Sequence, residues 1–211
     1  MARGRFITVE GIEGVGKSTN VGFICEHIGA AGFGVISTRE PGGTPLAEEI
    51  RDLVLAEREE AVAPAAELLL MFAARAVHLE NLILPALERG DWVVCDRFTD
   101  ATLAYQGYGR GQDIERISQV AQIVHPGLRP DLTLLLDAPL AVSRQRSRDR
   151  GVCDRFENER SAFFERVRAG YLALAEAEPG RFAVLDASRA LQAVQREIGR
   201  HLDRVIDDIQ D

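Results

Sequence analysis

The stretch Gly11-Ile12-Glu13-Gly14-Val15-Gly16-Lys17-Ser18, followed by Thr19, constrains this chain more than any other. It fits the phosphate-cradling pattern G-x-x-x-x-G-K-[ST], and its flanks fit as well. Residues 5–10 (R-F-I-T-V-E) are apolar and β-branched, as a short buried strand should be. Residues 17–31 are expected to be helical. The glycines let backbone N–H groups converge on an anion, and the helix offers its positive N-terminal end to the same charge. Lys17 is then placed to reach the β- and γ-phosphates of a nucleotide, and the Ser18 hydroxyl to hold Mg²⁺. A glycine-rich turn with a chance lysine would look similar, but Lys17 is the only lysine in the chain. A composition that uses arginine everywhere else and keeps lysine here points to a site needing a compact, flexible ammonium.

The rest of the chain alternates strand and helix. Val35-Ile36-Ser37-Thr38 reads as a second strand, and Arg39-Glu40-Pro41-Gly42-Gly43-Thr44 as a sharp loop at its carboxyl end. Ligands bind at such strand ends in open α/β sheets. A helix over residues 45–56 follows, and Pro64 opens a long helix reaching about residue 88. In it Phe72 and Arg75 are three residues apart and so share a face. Trp92-Val93-Val94-Cys95 is a strand ending in Asp96-Arg97, where an acid is the expected second handle on Mg²⁺. Residues 98–111 begin helical and are expected to turn into a flexible loop at Gln106-Gly107-Tyr108-Gly109-Arg110-Gly111. A helix over 114–124, the strand 131–137, helices after Pro139 and from 159 to 177, a strand over 181–185 and a terminal helix over 190–209 complete the pattern. It predicts a single domain over residues 1–211: a three-layer α/β/α P-loop NTPase fold with a mostly parallel sheet of about five strands.

A net charge of −8 over 211 residues argues against general binding of nucleic acid or anionic membranes. Phosphate must then be handled locally. Arg144, Arg146, Arg148, Arg150 and Arg155 put five arginines within twelve residues of an acidic chain, where they repel one another unless an anion sits among them. A lid near residues 144–156, closing over phosphates, is the use this favours. Cys25, Cys95 and Cys153 are scattered, as reduced thiols in a cytoplasmic protein would be. The start of the chain passes directly into a strand, and no run of about 18 apolar residues is expected to span a bilayer. The four histidines, His27, His78, His125 and His201, are scattered and read as helix-surface or turn positions.

Five further motifs in order carry a resemblance. Arg39-Glu40-Pro41-Gly42-Gly43-Thr44, Phe72-Ala73-Ala74-Arg75, Asp96-Arg97, Tyr105-Gln106-Gly107 and Pro130-Asp131-Leu132-Thr133, behind the phosphate loop, resemble the thymidylate kinases. The resemblance implies transfer of the γ-phosphoryl of ATP to dTMP, with Mg²⁺ on Ser18 and Asp96. It implies ATP on residues 11–19, Phe72 stacked on thymine, Arg75 bonded to its edge, and Thr102 and Gln106 completing base recognition. Arg39 and Arg97 would hold the acceptor phosphate, Tyr105 would exclude a ribose hydroxyl, and Glu13 would meet the sugar 3′-OH. Gly14 stands where some members carry a loop arginine, so the resemblance is to the bacterial branch, whose catalytic arginine comes from the lid. Arg150 is the expected residue, with Arg148 and Arg155 beside it. Arg144 and the loop after Asp186 are the expected adenine contacts, and a homodimer through the long helices is implied.

Two rivals make different predictions. A kinase for another nucleoside monophosphate would keep the ATP side, so only Phe72, Arg75, Tyr105 and Gln106 argue against it. A P-loop ATPase or switch would leave Arg39, Arg97 and the arginine cluster idle. A guanine-specific switch needs N-K-x-D, which a chain whose single lysine is Lys17 does not contain.

Overall fold

A computed structural model of the chain describes residues 3–148 and 159–210. Its five strands are β1 (Phe6–Glu10), β2 (Val35–Arg39), β3 (Trp92–Asp96), β4 (Leu132–Asp137) and β5 (Phe182–Asp186). All neighbours run parallel, in the order β2-β3-β1-β4-β5. The central strands β1 and β4 are the continuous apolar runs, because both of their faces are covered; β2, at the edge, is partly exposed. Two polar side chains inside this interior satisfy each other, the Thr8 and Thr133 hydroxyls lying 2.8 Å apart.

Side-chain alternation splits β3 between two cores. Trp92 and Val94 join the cluster that includes Ile24 and Ile28 of α1 (Lys17–Ala30) and Ile198 and Leu202 of α9 (Leu191–Gln210). Val93 and Cys95 pack against Leu79, Ile83 and Leu87 in the second cluster. Each such fully buried side chain stabilises the fold by roughly 1.5–3 kcal/mol before entropy is counted. Helices therefore cover both faces, as the strand–helix alternation predicts.

The long helix is α3 (Pro64–His78), a π-helical turn (Leu79–Ile83) and α4 (Leu84–Glu88) in one run. The wide turn falls just before Pro85, whose ring and missing N–H interrupt the regular ladder there. By length and composition alone, Pro64–Glu88 is apolar enough to cross a bilayer, an 18-residue stretch of it having a mean hydropathy of 1.4. It is not an unbroken apolar run, since Glu67, Arg75, His78 and Glu80 lie within it. The helix is apolar because α2 (Pro45–Leu55), α6 (Ile114–Val124) and the sheet pack on it, and it buries Glu67, Arg75 and His78 in polar contacts.

The segment after β3 differs from the expected loop. A short helix, α5 (Thr99–Thr102), continues as a second π-helical stretch through Gly109. Its glycines serve close contact. A side chain at Gly107 would strike Ile114, one at Gly109 would strike Phe163 and Val167, and Tyr108 fills the space beside Gly170. In this way α8 (Ser161–Ala177) docks on the stretch that carries Tyr105 and Gln106. The remaining helix, α7 (Leu140–Arg148), begins the arginine-rich segment. Arg150 and Arg155, and the side chain of Arg148, lie outside the described residues.

β1 is flanked by β3 and β4, so the chain reverses direction across it. The phosphate loop leaves the carboxyl end of β1 at that switch point, where ligands gather in such sheets.

Candidate active site

Between β1 and α1 the loop is fixed from below by Ile12 and Val15, both buried in the main core. Gly11 and Gly14 take φ of 133° and 78°, a region that favours glycine. A Cβ on Gly14 would also collide with the Ser143 carbonyl of α7. Contact with α7 therefore excludes any side chain here, an arginine included. Lys17 Nζ folds back to donate to the Gly11 and Ile12 carbonyls at 3.2 and 3.0 Å. Burial, then the nearby Arg97, brings its ammonium down to about 8 against the pull of Asp96, Glu13 and Glu10. Ser18 and Thr19 stand exposed at the start of α1.

Strand register places Asp96 beside both Val9 and Arg39. Asp96, Arg39 and Ser18 line one cavity, together with Thr38 and Gly43. Asp96 Oδ1 is buried and has no hydrogen-bond partner among the described residues. An unmet acceptor of this kind costs about 1–3 kcal/mol, so it is held ready for a cation or donor that arrives with a ligand. Hydroxyl and carboxylate oxygens are hard donors that suit Mg²⁺. At the rim, Arg39 forms an ion pair with Glu48 at 2.9 Å.

Arg97 is the hinge of the site. It alone among the described non-glycine residues has a positive φ, 72°. That conformation costs roughly 1–3 kcal/mol and holds the side chain against the phosphate loop. Nη1 donates to the Gly11 carbonyl (2.9 Å) and the Tyr171 hydroxyl (3.1 Å), and Nη2 to Glu13 Oε1 (2.9 Å). Tyr105 also donates to Glu13 Oε1, at 2.6 Å, and its ring lies 4.8 Å from the guanidinium carbon. Glu13 Oε2 is left buried and unpartnered among the described residues.

Behind Arg97 sits Glu10, fully buried, accepting from the Phe98 N–H (2.7 Å) and the Tyr171 hydroxyl (2.8 Å). Burial, and then the Asp100 carboxylate, push the Glu10 carboxyl up to about 8 against the opposing pull of Arg97, Tyr171 and the Phe98 N–H. A carboxyl raised in the folded state stabilises it fully below its unfolded value near 4.5, and that contribution is lost as pH rises through about 8. The melting temperature of the protein should accordingly fall, by several degrees, relative to Glu10→Gln between pH 5 and pH 9. Parallel melting curves across that range would mean that Glu10 is ionised throughout.

The second cavity lies between the loop, α2, α3 and α5, lined by Glu13, Arg51, Met71, Arg75, Thr102, Tyr105 and Gln106 among others. Arg75, 3% exposed, is held at two points: Nε on Glu40 Oε2 at 2.7 Å, and Nη2 on the Thr102 hydroxyl at 2.9 Å. His78 Nδ1 reaches Glu40 Oε1 at 3.1 Å, and its Nε2 reaches the Thr38 hydroxyl at 2.7 Å. His78 is thus a core residue, not the surface position its scatter suggests, because Glu40 needs a second donor. Burial alone would raise the Glu40 carboxyl, but Arg75 and His78 beside it hold it below the usual range. Arg75 Nη1 remains buried and unpartnered among the described residues. Gln106 Nε2 donates to the buried Glu67 at 2.9 Å.

One expected wall residue is elsewhere. Phe72, 2% exposed, is packed with Leu68, Ile117 and Ala121, beneath the guanidinium of Arg75 at 4.8 Å. It does not line the cavity; Met71 does. Phe72 continues the buried stripe begun four residues earlier by Leu68, so it must face α6. Met71, Arg51, Glu10 and Tyr171 are the residues that motif reading missed. On the α7 side, Arg144 bonds the Ser161 hydroxyl and the Glu159 carbonyl, while Arg146 donates to the Ala187 carbonyl at 2.8 Å. The loop after β5 is therefore bridged by Arg146 and not by Arg144.

Comparisons agree with this architecture. A family model described as thymidylate kinase matches residues 9–198. A thymidylate kinase of Chromohalobacter salexigens is 60% identical over 204 residues, covering 96% of each chain. That of Teredinibacter turnerae is 57% identical over 200 residues, covering 95% of this chain and 98% of its own. The crystal structure of thymidylate kinase from Ehrlichia chaffeensis superposes with a TM-score of 0.76 at 33% identity, over 95% of this chain and 99% of the other. The chain belongs to the thymidylate kinase family, and it phosphorylates dTMP.

Proposed function

We propose that the two cavities are the two halves of one phosphoryl-transfer site, with ATP on the loop side and dTMP beneath Arg75. The observation that carries this reading is that three of the buried polar atoms without partners among the described residues face the two cavities: Arg75 Nη1, Glu13 Oε2 and Asp96 Oδ1. Each answers one ligand group. Arg75 Nη1 donates to a carbonyl on the thymine edge, with Thr102 and Gln106 completing the pocket. Glu13 Oε2 accepts from the sugar 3′-OH, while Tyr105, tied to the other oxygen, closes the space at C2′. Asp96 and Ser18 hold Mg²⁺, which when bound offsets charge on the ATP phosphates.

The acceptor is a phosphate dianion and is its own nucleophile, so the protein supplies no general base. What the protein must do is bring two polyanions into line. Lys17 leaves the Gly11 and Ile12 carbonyls for the ATP phosphates, whose backbone contacts come from residues 11–19. Arg97 holds the acceptor phosphate, with Arg39 from the cavity it shares with Asp96 and Arg51 from the dTMP side. Because Gly14 has no room for a side chain, the arginine for the transferring group comes from the lid: Arg150, with Arg148 and Arg155 as neighbours. Adenine lies toward α7, where Arg144 and Arg146 meet α8 and the loop after β5. The enzyme acts in the cytoplasm as a homodimer. Leu53 of α2 and Leu69 of α3, which are 53% and 60% exposed on adjacent packed helices, give the partner copy its apolar contact.

The assignment is tested by supplying Mg-ATP with dTMP, dUMP, UMP, CMP, GMP or AMP and following ADP release. Turnover with dTMP should exceed that with every ribonucleotide by at least about 10²-fold, the scale set by a site that pairs one substrate's polar edge. A better ribonucleotide acceptor would overturn the assignments of Tyr105 and Glu13. Sedimentation of the purified protein at monomer mass would remove the dimer.

A further inference from the structure

The base pocket contains a substitution of character. Counting back one helical turn from Arg75 gives Met71, and side chains four apart on a helix stand one above the other. Met71 is partly exposed and lines the dTMP cavity, whereas Phe72 is sealed beneath Arg75 among Leu68, Ile117 and Ala121. No substrate ring can reach Phe72 without displacing the guanidinium carbon that lies 4.8 Å from its ring centre. The same cavity presents Pro41, Leu55, Phe98 and Ala101 as its other apolar members.

We propose that Met71 is the side chain on which the thymine face rests, so that the base is held by a thioether where an aromatic ring was expected. The proposal depends on dTMP occupying the cavity beneath Arg75. A thioether is polarizable and packs favourably against a π face, and its three rotatable bonds let it follow the base as the ligand settles. Phe72 acts differently, supporting Arg75 from the core side so that Nη1 stays aimed at the base edge. One residue positions the hydrogen-bond donor and its neighbour in sequence supplies the contact surface. The specificity-determining wall of the pocket is therefore Met71, and the positioning residue is Phe72.

The chain has two methionines, Met1 and Met71, which makes the test direct. With methyl-¹³C-methionine incorporated, saturating dTMP should move the Met71 methyl signal upfield through the ring current of the base. Mg-ATP alone should leave it in place, and Met71→Leu identifies the signal by its loss. In steady-state assays Met71→Ala should raise KM for dTMP about tenfold with kcat nearly unchanged. Met71→Leu, which keeps the volume, should restore most of that. Thr102→Val serves as the independent arm for the cavity. If Thr102→Val raises KM for dTMP while the Met71 methyl stays fixed at saturation, the cavity assignment stands and the Met71 wall is overturned. If neither the methyl nor Thr102→Val responds to dTMP, the base binds elsewhere and both readings fall.

Discussion

Replacing Arg97 with alanine is expected to lower kcat/KM for dTMP by about 10³, the largest kinetic effect of any substitution among the described residues. The reason is that one guanidinium does three jobs. It is held at fixed points by the Gly11 carbonyl, the Tyr171 hydroxyl and Glu13. It links the phosphate loop to the end of β3 and so fixes the distance between donor and acceptor. In the proposed site it also carries positive charge into the space where two polyanions meet, and charge offset there would be the main catalytic term. Arg97→Lys should recover little, because an ammonium cannot span the same fork of acceptors. Tyr171→Phe separates positioning from charge. It removes one anchor and leaves the guanidinium, so its loss should fall mainly in kcat and be far smaller than that of Arg97→Ala. A decline of less than tenfold for Arg97→Ala would place the acceptor phosphate on Arg39 and Arg51 alone.

Much of this site was legible as strand ends. The P-loop, Arg39-Glu40 and Asp96-Arg97 all follow apolar β-branched runs, and a parallel sheet brings such ends to one edge. The long-range partners were not legible. Glu40 and Arg75 are 35 residues apart, and Glu10 and Tyr171 are 161 apart, so only packing brings them together. Two errors had a local cause. The glycines at 107 and 109 resemble a flexible loop because glycine usually marks turns. Here they clear space for Ile114, Phe163 and Val167, and the chain stays helical. The placing of Phe72 followed a motif, where helical phase gives the better rule. Adjacent residues on a helix point about 100° apart, so Phe72 could not share both the Leu68 stripe and the pocket wall. Gly14 shows the opposite case: its identity was plain, but the cause, contact with Ser143, lies 129 residues away.

Arg75→Ala should produce the largest loss of stability, with loss of function alongside it. The variant leaves Glu40 buried with His78 as its remaining charged or polar side-chain partner, and it empties the space between Phe72 and Phe98, where the guanidinium carbon lies 4.8 and 5.0 Å from the two ring centres. Breaking a buried pair by removing one member costs about 3–5 kcal/mol, much more than the intact pair contributes. In a chain of 211 residues that corresponds to a fall of roughly 10 °C in melting temperature. The loss has a pH signature. In the intact protein the Glu40 carboxyl is held low, so its contribution is present above the unfolded value near 4.5 and is lost as pH falls through the lower folded value. The gap between the protein and Arg75→Ala should therefore be widest at neutral pH and narrow toward pH 4. Adding Glu40→Gln to Arg75→Ala removes the stranded charge, and should return a substantial part of the melting temperature while leaving dTMP turnover low. Stability and base recognition then separate in one pair of variants: the carboxylate holds the arginine, and in the proposed site the arginine holds the base. If the double variant melts no higher than Arg75→Ala, the cavity left between Phe72 and Phe98 accounts for the loss, and the ion pair does not.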